Sequence, residues 1–314
     1  MKKKALLALA GILCLAGCQS MDTKQNTADK MYPVQFSVQL KKEILPFPEK
    51  RSIPAFSIPE PVLKESSPGD DTETPEEMLF NRIEYVVYDN TESPEKLIHH
   101  KQFIPTDEDF GIVYDSLPTG NYTIAFLAHS STTATLSDHT ICFDKVSDTF
   151  HACTILPISG NETVRDEIEL KRIVSRIEFV SEEAVPSNIK SLDITVKPYF
   201  SKVDLFTGKS TEHINSFSIP YSFVTEEKEQ PAPTHSFYSL IPSGNETLSA
   251  ILIAVDTDGS VIQQREVNNI TPIENKIIRY KGKLYSPKNV EETFTLIIAG
   301  EGAWDDPTED IPVE

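Results

Sequence analysis

Apolar and polar residues alternate along most of this chain with a period of two. Val34, Phe36, Val38 and Leu40 are separated by Gln35, Ser37 and Gln39, the pattern of a strand with one face in a core and the other in water. Similar runs predict strands at Ile83 to Tyr88, Leu97 to Phe103, Phe110 to Tyr114, Tyr122 to Ala128, Ile141 to Phe143, Phe150 to Cys153 and Val164 to Leu170. A second series starts at once with Ile173 to Val180 and continues through Leu192 to Val196, Phe217 to Phe223, Phe237 to Leu240, Leu248 to Val255, Val261 to Val267 and Ile277 to Leu284. Leu248 to Val255 is apolar at both parities, which predicts a central strand covered on both faces. Almost no segment carries helical periodicity between caps, so the predicted fold class is all-β.

A turn motif occurs twice, as Leu117-Pro118-Thr119-Gly120-Asn121 and Ile241-Pro242-Ser243-Gly244-Asn245. Pro presets φ for a turn, and Gly or Asn tolerates the positive φ that can follow, so each copy is expected to reverse a strand. The repeat predicts two similar β domains, residues 31–170 and 171–290, coupled tightly because almost no linker separates them. Residues 291–314 then form a terminal strand, with Phe294, Leu296 and Ile298 on one face, and an acidic tail containing Trp304. That strand either closes its own domain or pairs with a neighbouring subunit. Between Pro46 and Pro75 the many prolines, with acidic residues from Glu65 on, predict a long extended loop.

The N-terminus adds a destination. Lys2, Lys3 and Lys4 precede an apolar run from Ala5 to Leu15 that is too short for a permanent membrane span and has the form of a signal peptide, residues 1–17. It ends in Leu15-Ala16-Gly17-Cys18, which resembles the bacterial lipobox, so Cys18 is expected to carry lipid and become the first residue. Residues 18–30 are polar and predict a flexible tether.

The net charge of −19 argues against nucleic acid and anionic lipid headgroups, which need clustered Lys and Arg. Cys142 and Cys153 flank a predicted hairpin reversing near Ser147-Asp148 that would place them opposite each other. In an exported protein they are a possible disulfide, or else two buried thiols. The seven histidines fall in no metalloprotease or triad pattern and there is no phosphate loop. The adjacent pair His99-His100 faces opposite ways on a strand and reads as surface histidines rather than a chelate. No catalytic residue, metal site or cofactor is therefore predicted.

Taken in order, several segments carry a family likeness: the lipobox, Tyr32-Pro33-Val34-Gln35-Phe36-Ser37-Val38, Ile83-Glu84-Tyr85-Val86-Val87-Tyr88-Asp89, Leu117-Pro118-Thr119-Gly120-Asn121-Tyr122, Leu170-Lys171-Arg172-Ile173-Val174-Ser175-Arg176-Ile177 and Asn275-Lys276-Ile277-Ile278-Arg279-Tyr280-Lys281-Gly282. The chain resembles the fimbrillin-like lipoproteins of Bacteroidales, among them FimB-type anchor subunits of type V pili. The resemblance implies two tandem transthyretin-like β-sandwich domains, a lipid-anchored outer-membrane location and assembly with other fimbrial subunits through β-strand contacts. It makes an anchor, minor or tip subunit of a surface fimbria the expected function, and Phe294, Leu296 and Ile298 a possible donor strand. The alternative is an outer-membrane lipoprotein with tandem sandwiches that binds a glycan or a host protein. Against a glycan platform, the aromatic residues sit mostly at core positions.

Overall fold

The structure is a computed structural model that describes residues 30–40, 79–91, 93–160, 163–232, 234–286, 294–300 and 311–313. The expected signal peptide, the lipid site at Cys18, nearly all of the tether, the proline-rich segment and Trp304 lie outside the described residues.

The first half contributes β1 (Tyr32–Leu40), β2 (Arg82–Asp89), β3 (Lys96–Phe103), β4 (Ile112–Leu117), β5 (Gly120–His129), β6 (Thr135–Ser137), β7 (Thr140–Cys142), β8 (Phe150–Ile158) and β9 (Val164–Arg172). The second contributes β10 (Val174–Ser181), β11 (Ile189–Lys197), β12 (Tyr199–Asp204), β13 (Glu212–Ile214), β14 (Phe217–Ser222), β15 (His235–Leu240), β16 (Leu248–Asp256), β17 (Val261–Ile270), β18 (Lys276–Gly282), β19 (Phe294–Gly300) and β20 (Ile311–Val313). The helical content among the described residues is one 3-10 turn, Thr225–Glu227.

The two halves repeat one strand order. In the first, β3-β2-β5-β8 lies on one side of the core and β4-β1-β9 on the other, the two joined at the corner where Phe150 pairs with Arg172 and His151 with Lys171. In the second, β14-β11-β16-β17 faces β15-β10-β18-β19-β20. Each half opens with a strand, β1 or β10, that is antiparallel to one neighbour and parallel to the other. The order is that of an all-β sandwich written twice.

That topology corrects the reading of the repeated turn. Leu117 to Asn121 joins β4, which pairs with β1, to β5, which pairs with β2 and β8 in the opposite sheet. Ile241 to Asn245 joins β15 to β16 in the same way. The motif crosses from sheet to sheet instead of reversing a hairpin. Gly120 and Gly244 accordingly take no positive φ. Leu117 and Leu240, both fully buried, pin the crossing to the core.

Inside the first sandwich, Phe36 packs against Tyr85 and Phe126 at ring separations of 5.9 and 5.4 Å, with Val34, Ile83, Val87, Val113 and Ile124 around them. The larger core of the second half includes Ile177, Phe179, Leu192, Ile194, Leu252 and Ile278. It continues into the first half through Val86, Tyr88, Ala125 and Leu127, on the outer face of the β2–β5 sheet. β16 is central as expected but is not covered on both faces: Leu248, Ala250, Leu252 and Ala254 are buried, while Ile251, Ile253 and Val255 are half-exposed. One face of its sheet is simply the outside of the molecule.

Candidate functional site

The chemistry of the described residues gathers at the seam between the halves. A small sheet of order β13-β12-β7-β6 is built from both, with Cys142, Ile141 and Thr140 of β7 paired to Lys202, Val203 and Asp204 of β12. Around it the Phe143 N–H donates to the Ser201 carbonyl at 2.9 Å, the Leu205 N–H to the His139 carbonyl at 2.8 Å and the Val146 N–H to the Tyr199 hydroxyl at 2.9 Å. His151 of β8 is buried and reaches the Leu205 carbonyl through Nε2 at 2.8 Å, so that nitrogen carries the proton. Gly208, at φ +68°, lies so close that a Cβ there would sit 2.7 Å from His151 Nδ1.

Arg172 closes the seam at the β9–β10 junction. It occupies an inward position in the alternation that buries Ile168 and Leu170, where an apolar residue would be ordinary. Its Nε and Nη2 donate to the two Asp148 carboxylate oxygens at 2.8 and 2.9 Å, and Nη1 donates to Asn275 Oδ1 at 2.8 Å. The guanidinium also lies 5.0 Å over the Phe150 ring. Asn275 holds the left-handed conformation, φ +57°, and its N–H donates to the Val174 carbonyl at 3.0 Å. Burial pushes the Asp148 carboxyl above its usual value despite the opposing pull of Arg172. The planar fork answers both oxygens at once, a geometry lysine cannot supply.

A second polar cluster holds the edge of the first sandwich. His99 and Lys101 of β3 reach Asp115 of β4 at 2.5 and 2.8 Å, joining the free edges of the two sheets. On the other side of β3, Glu84 receives His100 Nε2 at 2.7 Å and Gln102 Nε2 at 2.5 Å, with buried His129 at 3.3 Å. Burial pushes the Glu84 carboxyl up, but these hydrogen bonds outweigh it and bring it down to about 2. The His99-His100 pair does point two ways, yet each ring is a partly buried partner of a carboxylate rather than a free surface group. Glu84 on the paired strand β2 and Asp115 on β4 at the opposite sheet's edge were not legible without the strand order.

The hairpin expected between the two cysteines is corrected by the topology. Cys142 lies in β7 between β6 and β12, and Cys153 lies in β8 opposite Ala125 of β5, so no hairpin brings them face to face. Both are free thiols in the structure. Burial, helped by the Asp204 carboxylate, pushes the Cys153 thiol up to about 11.

The terminal strand β19 lies in its own chain's sheet, antiparallel to β18 from Lys276↔Gly300 to Lys281↔Thr295, with β20 on its other edge. Phe294 is buried beside Phe179 and Tyr280, and the Arg265 guanidinium lies 5.5 Å over its ring. Leu296 and Ile298 pack on the same core. Donation of this strand to a neighbour would take it out of that sheet.

These features define an all-β sandwich protein whose polar side chains clamp strands to strands. The chain belongs to the family of fimbrillin-A associated anchor proteins Mfa1 and Mfa2, which it matches over residues 66–308. Among solved structures it is similar to the fimbrial anchor protein Mfa2 from Porphyromonas gingivalis, at 12% identity over 91% of this chain and 100% of that one, TM-score 0.47. It is also similar to a fimbrial assembly protein from Parabacteroides distasonis, at 13% identity over 90% and 99% of the chains, TM-score 0.44. The C-terminally truncated tip fimbrial protein Mfa3 from Porphyromonas gingivalis aligns at 10% identity over 70% and 94%, TM-score 0.39. No curated protein sequence matches the chain.

Proposed function

We propose that this protein is a non-enzymatic structural subunit of a cell-surface fimbria, in the anchor or a minor position, attached to the outer membrane by lipid on Cys18. The observation that carries the reading is membership of the fimbrial anchor family across residues 66–308. A basic, apolar and lipobox-like N-terminus supports export and lipidation, and a long polar stretch after Cys18 would give the anchored fold reach. The partners are other fimbrial subunits, met through sheet edges, where main-chain hydrogen bonds give affinity and alternate side chains fix register. In this reading the domains are residues 31–170 and 171–290, clamped by Arg172. The terminal segment carrying Phe294, Leu296 and Ile298 exchanges its own sheet for a neighbour's during assembly.

Two variants test the proposal in cells. Cys18→Ala should move the protein from the membrane fraction to the soluble one, and persistence in the membrane would place the anchor elsewhere. Deletion of residues 293–314 should leave a folded, membrane-located protein that no longer joins fimbrial subunits; a misfolded truncated chain would mean that the strand only closes its own domain, and normal assembly would remove the terminal strand from the mechanism.

A further inference from the structure

A cavity of about 490 Å³ opens beside the seam, lined by Tyr88, Pro94, Glu95, Leu97, Asp138, His139 and Phe206. Its walls come from both halves: the end of β2, the β2–β3 turn and β3, the β6–β7 turn, and the loop after β12. One wall is aromatic. His139 stacks on Phe206 at 5.1 Å and 13°, and Tyr88 meets the same Phe206 edge-on at 5.1 Å and 86°. The aromatic positions are fixed from behind, because the Tyr88 hydroxyl donates to the Asp138 carbonyl at 2.6 Å and His139 Nε2 lies 3.1 Å from Asp204 Oδ2. Leu97, 44% exposed, leaves an apolar surface open at the mouth.

The two carboxylates that line this cavity differ from the other acids at the seam. Asp148 and Asp204 are spent on Arg172, His139 and backbone N–H groups. Glu95 and Asp138 are exposed and have no ion-pair partner among the described residues. An apolar and aromatic wall facing unpaired carboxylates is complementary to a cation on an aliphatic stem: the stem covers apolar surface and the charge meets the ring and the carboxylates.

We propose that this cavity receives a lysine or arginine side chain projecting from a partner protein. A partner's basic residue matches a chain whose own net charge is −19, and such complementarity selects partners and orients their approach. The source of the side chain, a neighbouring subunit, rests on the fimbrial reading; the cation site itself does not.

The test uses the full soluble chain beginning after Cys18, with methyl-labelled leucine, titrated with acetyl-arginine amide, acetyl-lysine amide and neutral acetyl-glutamine amide. At about pH 8, where an ordinary histidine is neutral, the cationic probes should give a saturable shift of the Leu97 methyl signals and the neutral probe none. Glu95→Gln with Asp138→Asn should weaken the cationic probes by about tenfold or more, and added salt should weaken them too. Asn is suited to the left-handed conformation of Asp138, φ +52°, so the double variant should keep its fold, which unchanged leucine methyl signals elsewhere would verify. An equal shift with the neutral probe, unchanged affinity in the double variant, or no saturable shift with either cation would overturn the proposal. None of these outcomes depends on whether the protein enters a fimbria.

Discussion

Replacing Arg172 with methionine should separate the cost of a broken ion pair from the worth of an intact one. The substitution keeps an unbranched apolar stem in the same inward position, but it strands the Asp148 carboxylate, 8% exposed, and removes the cation from the Phe150 ring. Removing one partner of a buried pair typically costs about 3–5 kcal/mol, a large part of a whole domain's stability of about 5–15 kcal/mol. Arg172→Met should therefore lower the urea midpoint sharply. Hydrogen exchange followed by mass spectrometry should show lost protection at β9, β10 and the segment around Asn275 before the rest of either half. Adding Asp148→Asn removes the stranded charge, and since burial already pushes that carboxyl up, the double variant should recover more than half of the loss. If Arg172→Met costs less than about 1 kcal/mol, or the two losses simply add, the clamp is not a coupled unit and the reasoning fails.

Other parts of the molecule give sharper single readouts. His235 is buried with Nε2 at 2.9 Å from the Tyr285 hydroxyl, and burial lowers its pKa from 6.5 to about 4. Between those values the unfolded chain binds a proton that the folded chain does not, so stability falls as pH falls, by about 3 kcal/mol across the window. His235→Phe should flatten urea-midpoint profiles between pH 6.5 and 4, and an unchanged slope would assign the acid sensitivity elsewhere. Gly208→Ala meets both a positive φ and His151, so a loss of about 1–3 kcal/mol in thermal unfolding is expected; a neutral result would show that the seam yields easily. Phe36→Ala empties the centre of the first sandwich, and chemical denaturation should register about 3–5 kcal/mol, with a loss under about 1 kcal/mol showing that β1 contributes little to that core.

Much of the sheet structure was legible because one buried face forces the period of two. Val34, Phe36 and Val38 announce β1, and Ile173 to Val180 announces β10, since each strand must turn alternate side chains into a core. β6, β12 and β13 escaped notice for the same physical reason: two of them are only three residues long, and β12 buries both parities at Tyr199 and Phe200. The Leu-Pro-Thr-Gly-Asn motif marked a change of direction, but local turn chemistry does not say whether the next strand pairs with the last one or crosses the core. The hairpin expected between Cys142 and Cys153 fails on this point, because register is set by distant partners. Arg172 stood at the expected junction, yet its partners Asp148 and Asn275 are 24 and 103 residues away, a separation no local pattern encodes. The cavity at Phe206 was hidden likewise, assembled from turns in both halves.

Membership in a fimbria can be measured by shearing fibres from cells, purifying them intact and quantifying this protein in the fibre and membrane fractions by mass spectrometry, beside the Cys18→Ala strain. In the wild type the protein should be bound to fibre subunits, recoverable with the fibres and with the outer membrane. In Cys18→Ala, fibres and protein should be released together into the medium. A protein found only in the membrane, never cross-linked to a fibre subunit, with fibres unchanged when its gene is deleted, would contradict the assignment.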